Sequence, residues 1–199
     1  MARRIKEEPI VHRDRIAAAA EALFLKKGLR ETAVSDIAAE AGYSKATLYV
    51  YFENKEAIIS YLVLKSMSEL KTLILEKTDQ AKSEHDNFLG ICHAVLEYRD
   101  RFPIYFSLMQ DHINVDFTGR YADDDKETYE IGESINAYIT ELFDLKQNAF
   151  AQIFSFWSFL CGIIGMASAK SDYIKKQSDL APDIFLEQSF ELLYKAFRD

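Results

Sequence analysis

The chain has 199 residues, 49% hydrophobic and 28% charged, with only 7 Gly and 3 Pro. That is long enough for one large or two small packed domains, and too poor in turn residues for a sheet-rich fold. The net charge of −8 argues against a chain that is basic throughout. It is unevenly spread: residues 1–65 hold 11 Lys+Arg and 9 Asp+Glu (+2), whereas residues 66–199 hold 13 and 23 (−10). An anion-compatible surface therefore belongs in the first third.

Residues 1–12 are polar, and Pro9 discourages an early helix. From Arg13 to Lys27 the apolar residues Ile16, Ala19, Ala20, Leu23 and Phe24 recur at helical spacing, and Gly28 stops the run. Thr32 is placed to cap a short helix, Ala33 to Glu40. Gly42 ends it, Ser44 caps a third helix from Lys45 to about Tyr51, and Asn54 opens a long fourth one. After a polar break at 78–86 come helices over 88–100 and 103–110, a loop over 111–125 that includes Asp123, Asp124 and Asp125, and helices over 126–143, 149–169 and 183–197. The class is all-α: a three-helix head over 1–60, then a larger helical bundle over 61–199.

Two short helices joined by a Gly-containing turn form the helix-turn-helix layout, whose second helix enters the major groove. Ala38 and Ala41 are small enough for a close crossing, Gly42 supplies the positive φ of the turn, and Leu48 points to the core. Lys45, Ala46, Thr47, Tyr49 and Tyr51 are left outward. The stretch from Ala41 through Tyr43, Ser44, Lys45, Ala46, Thr47, Leu48, Tyr49, Val50, Tyr51, Phe52 and Lys55 to Glu56 resembles the signature of TetR-family regulators. So does the lead-in Ala22-Leu23-Phe24, Gly28, Thr32 and Asp36-Ile37-Ala38; together they span about 13–60.

The resemblance implies phosphate contacts from Thr47, Tyr49 and Lys55, with Tyr51 also at the backbone and Ser44 at the helix end. It places Lys45 and Ala46 at base edges, where lysine can donate to guanine and alanine can touch a thymine methyl. Two positions depart from the commonest pattern: Ala33 stands for a hydroxyl residue and Tyr43 for a small aliphatic one. The implied partners are a double-stranded DNA operator, a small-molecule effector and a second copy of the chain, in a repressor that its effector releases.

Residues 66–199 hold 20 of the 26 aromatic residues, a composition suited to enclosing an apolar effector. Candidate lining residues are Phe88, Cys92, Leu96, Phe102, Tyr105, Phe106, Met109, His112, Ile135, Tyr138, Phe156 and Phe159. The helix over 149–169 combines a wide apolar surface with small residues. With the last helix it predicts a four-helix homodimer interface through Phe154, Trp157, Cys161, Ile164, Gly165, Phe190, Leu193 and Phe197.

Residues 153–169 carry no charge but are at the short limit for a membrane span, so an interface helix is expected and no membrane role. The N-terminus lacks the apolar core of a signal peptide, and Cys92 and Cys161 read as buried free thiols, which points to the cytoplasm. No Gly-rich phosphate loop, nucleophile elbow, His-x-x-x-His or Cys-x-x-Cys occurs, so no catalytic residue, metal or cofactor is expected. The rival reading is a small-molecule-binding helical protein that has lost operator binding; the outward set Lys45, Thr47, Tyr49 and Lys55 weighs against it.

Overall fold

A computed structural model describes residues 7–111 and 123–198, which form ten helices. They are α1 (Pro9–Lys27), α2 (Val34–Glu40), α3 (Lys45–Tyr51), α4 (Lys55–Lys77), α5 (Glu84–Arg101), α6 (Pro103–Asp111), α7 (Asp123–Leu142), α8 (Ala149–Ala169), α9 (Ser171–Ser178) and α10 (Pro182–Arg198). The described residues contain no strand, so the all-α expectation holds.

The chain divides into two compact units that are not contiguous in sequence. The first takes residues up to Met67 together with 107–129; the second takes 68–106 and 130–199. The boundaries fall inside α4, α6 and α7.

In the first unit α1, α2 and α3 pack mutually. Ile16, Ala20, Phe24, Ile37, Ala38 and Leu48 are all buried, and every one of them belongs to the expected helical stripes. The long fourth helix adds Ile58, Tyr61 and Leu62 to this core. Gly28 and Gly42 both adopt positive φ, 85° and 75°, as their places at helix ends require.

Four sequence expectations need correction. Pro9 does not delay α1 but occupies its first turn, where a missing N–H costs nothing. Thr32 does not cap α2: its hydroxyl donates to the Gly28 carbonyl at 2.8 Å, and Ala33 takes the cap position while Asp36 accepts from the Ala33 amide. The three aspartates at 123–125 are not loop but the first turn of α7, where negative charge meets the positive end of the helix dipole. Finally, α5 begins at Glu84 rather than 88, because the Ser83 hydroxyl accepts from the Asp86 amide at 3.0 Å and so starts the helix inside a polar stretch.

In the second unit α5, α8 and α10 pack together, with α9 against α8 and α10. Phe88 is fully buried at the centre of an aromatic cluster, its ring 5.2–6.2 Å from those of Phe143, Phe156, Tyr194 and Phe197. Gly90 lets α5 approach the end of α4: a β-carbon there would lie 2.6 Å from the Lys77 carbonyl oxygen. Helix α8 spans 21 residues, is apolar enough by length and composition to cross a membrane, and carries no charge. One face, with Ile153, Phe156, Leu160 and Ile164, is buried; the opposite face, with Phe150, Phe154, Phe159 and Met166, is exposed.

Candidate nucleic-acid interface

Helix α3 is held by its own first turn. The Ser44 hydroxyl accepts from the Thr47 amide at 3.0 Å and bonds the Thr47 hydroxyl at 2.8 Å. Leu48 is the one side chain of α3 that is fully buried, and it fixes the rotation of the helix. With that rotation set, Lys45, Ala46, Tyr49 and Val50 are exposed, and Thr47 and Tyr51 are half-buried. Tyr49 is 46% exposed with the Lys45 ammonium 5.8 Å from its ring centre, so the two side chains share one outward patch. Val50 is 76% exposed and was not among the expected contact residues. An apolar residue on a recognition helix is easy to pass over when basic and aromatic residues lie beside it.

Lys55 has a task that the sequence pattern does not reveal. Its ammonium donates to the carbonyls of Leu29 at 3.0 Å and Thr32 at 3.2 Å, so it ties the start of α4 to the turn between α1 and α2. An ammonium has three N–H donors, and these two bonds leave one for another acceptor. Asn54 caps α4, its side-chain oxygen accepting from the Ala57 amide at 2.8 Å.

Tyr51 is likewise partly engaged. Its ring stacks on that of His12 at 4.9 Å and 27°, and Tyr43 lies 6.5 Å away. Arg13, on the neighbouring face of α1, lies over Tyr61 at 4.1 Å and Phe52 at 4.9 Å and pairs with Asp124. Asp14 takes bonds from Tyr61 and Lys65, both at 2.7 Å, and these hold its carboxyl below the ordinary 3.8. Burial and the Asp14 carboxylate together push the Tyr61 phenol up.

Two short helices crossed at a glycine turn, the second with a buried leucine and an outward basic-aromatic edge, define a helix-turn-helix DNA-binding domain. Residues 16–62 match the family described as bacterial regulatory proteins, tetR family. The regulator TtgR of Pseudomonas putida is 40% identical over 63 residues, 32% of this chain and 30% of that protein. A probable acrEF/envCD operon repressor of Escherichia coli is 35% identical over 113 residues, 55% of this chain and 50% of that protein. These stretches thus span half or less of the relatives' own length. The solved structure of the regulator FadR from Bacillus subtilis, in complex with stearoyl-CoA, superposes with a TM-score of 0.64 at 15% identity, covering 90% of this chain and 96% of that one. The family match thus lies in the head of the chain, over residues 16–62.

The other predicted residues fall into several settings. Cys92, Tyr105, Phe106, Ile135 and Phe156 are buried like Phe88, while Leu96, Phe102 and Tyr138 are half-buried, the Tyr138 hydroxyl bonding that of Thr78 at 2.8 Å. His112 and the Met109 side chain lie outside the described residues. Phe159 lines an apolar groove of about 740 Å³ between α8, α9 and α10, shared with Ile163, Met166, Tyr173 and Phe185.

Of the expected interface residues, Ile164, Phe190 and Leu193 are buried within the chain, where α8 and α10 pack against one another. Phe197 joins the Phe88 cluster. Trp157 is half-buried with its indole N–H donating to Asn136 at 2.9 Å, and Cys161 and Gly165 are half-buried. Phe154 alone of the eight is exposed, at 64%, and it stacks on Phe150, which is 83% exposed.

Proposed function

We propose that this regulator is a repressor that binds a pseudo-palindromic double-stranded operator through α3 as a homodimer and is released by a small lipophilic effector bound in the second unit. The outward edge of α3 carries the reading: Lys45, Ala46, Tyr49 and Val50 are exposed on a helix whose rotation is fixed by Leu48. Lys45 and Ala46 read base edges, whereas Thr47, Tyr49, Tyr51 and the free donor of Lys55 meet phosphates. The homology of the head to named operon repressors supports repression.

The second copy covers the outer face of α8. That face presents Phe150, Phe154, Phe159 and Met166 around Ser155, Ser158 and Gly162 and contains no charge. Gly162 has open space beside it, so a partner helix can approach closely. The 740 Å³ groove opens on this same face, and we assign it to the partner rather than to the effector. The aromatic content of the second unit and the fatty acyl ligand of the similar FadR structure support a lipophilic effector.

Selection of bound fragments from a random duplex pool tests the operator reading. The expected product is one motif in two mirror-related half-sites, lost on adding an effector found by thermal shift among lipophilic compounds. Recovery of no motif sinks the operator claim, and a monomer by sedimentation at micromolar concentration sinks the dimer.

A further inference from the structure

Tyr43 is one of the two positions where the sequence leaves the family pattern, and its hydroxyl is built into a chain of polar contacts beside α3. Arg15 of α1 donates through Nη1 to the Tyr43 hydroxyl at 2.7 Å, and the same hydroxyl bonds Nδ1 of His12 at 2.6 Å. His12 in turn stacks on Tyr51 of α3. The other edge of the guanidinium, Nη2, donates to the two Glu7 carboxylate oxygens at 3.2 and 3.4 Å. Arg15 is thus oriented by the turn that leads into the recognition helix, while its side chain stays 46% exposed.

We propose that Arg15, aimed by Tyr43, contacts a backbone phosphate of the operator, and that Glu7 is its intramolecular competitor, occupying the guanidinium until a phosphate replaces it. The proposal rests on the operator reading above. A guanidinium presents five donors in a planar fork, so Nη1 can keep the tyrosine while the Nη2 edge changes partner. The exchange is easy in this direction. An exposed Arg–Glu pair is weak, whereas a phosphate contact also releases a condensed counterion. The tyrosine at position 43, where the family pattern has a small aliphatic residue, thus supplies the hydroxyl that aims Arg15.

Titration of the selected duplex and of an unrelated duplex at several salt concentrations, with the parent, Arg15→Gln, Glu7→Gln and the double variant, tests this. Arg15→Gln should weaken both duplexes by a similar factor, on the order of ten, and reduce the slope of log affinity against log salt by about 1. Glu7→Gln should tighten both a few-fold, and should add nothing once Arg15 is gone. An unchanged slope in Arg15→Gln overturns the contact alone. Equal tightening by Glu7→Gln in both backgrounds shows general charge repulsion and overturns the competitor. A parent that binds no duplex overturns the operator reading, and this contact with it.

Discussion

Tyr61 of α4 donates its hydroxyl to Oδ1 of Asp14 on α1 at 2.7 Å, and the Lys65 ammonium reaches the same oxygen at 2.7 Å. One carboxylate oxygen thus fastens the first helix of the head to the long helix that follows the recognition helix. These bonds, Lys65 first, lower the carboxyl's pKa below 3.8. A group with a depressed folded pKa contributes stability above its unfolded pKa and loses it as pH falls through the folded one. Because the Asp14 side chain is 45% exposed, solvent screening keeps the contribution below about 1 kcal/mol. Asp14→Asn should therefore be less stable than the parent at pH 7, and the gap measured by urea unfolding should close as pH falls below about 4.

Lys55 gives a second test, on stability instead of binding. Replacing it with Met keeps the apolar stem but leaves the Leu29 and Thr32 carbonyls without their charged donor. Hydrogen bonds to charged groups contribute about 1.5–3 kcal/mol, and this half-buried site should fall at the low end of that range. Unfolding of Lys55→Met in the absence of DNA should show the loss. A variant as stable as the parent that still binds DNA weakly would return Lys55 to a purely phosphate-binding role.

Gly90→Ala tests the close approach of α5 to the end of α4. The new β-carbon would sit 2.6 Å from the Lys77 carbonyl oxygen, which is backbone and cannot swing away. Overpacking of this kind costs typically about 1–3 kcal/mol, against the gain of up to about 1 kcal/mol that alanine has over glycine in an open helix. A lowered melting temperature is expected, and an unchanged or raised one would show that the two helices can part without cost.

The thiols should be sluggish nucleophiles. Burial pushes the Cys161 thiol up to about 11, and Cys92, fully buried, is pushed up further. The thiolate is the reactive form, so alkylation of Cys161 should rise roughly tenfold per pH unit between pH 7 and 10, with Cys92 labelled only on unfolding. Mass spectrometry of alkylated peptides would read both.

Phe154→Glu places a charge on the outer face of α8. If a second copy covers that face, the variant should sediment as a monomer while retaining the helical circular dichroism of the parent, since the position is exposed and its ring stacks only on Phe150, itself exposed.

The head was legible because its residues obey local rules. Leu48, Ser44 and Gly42 each have one physical job that a short window displays, and all three do it. Thr32, Pro9 and the aspartates at 123–125 misled for the opposite reason: each has two common uses, and only the neighbouring turn decides which applies. Helix α9 was missed because its eight residues carry a single buried side chain, Ile174, too little for a periodic stripe. In the second unit the apolar residues stand out in the sequence, but what each of them packs against does not. Ile164, Phe190 and Leu193 are as apolar as Phe154, and nothing in a one-dimensional pattern shows which of them faces its own chain. The pairing of Lys55 with carbonyls more than 20 residues away, and of Arg15 with Tyr43, is likewise tertiary information.

The absence of charge on α8 separates two kinds of association by their response to solvent. A contact made through that face finds no charged side chain on α8 itself, so ionic strength has little purchase on it. Contacts of the head with phosphates weaken steeply as salt rises. A salt gradient should therefore strip the protein from DNA long before it disturbs whatever covers α8, and the species eluted would keep the oligomeric state it had when bound.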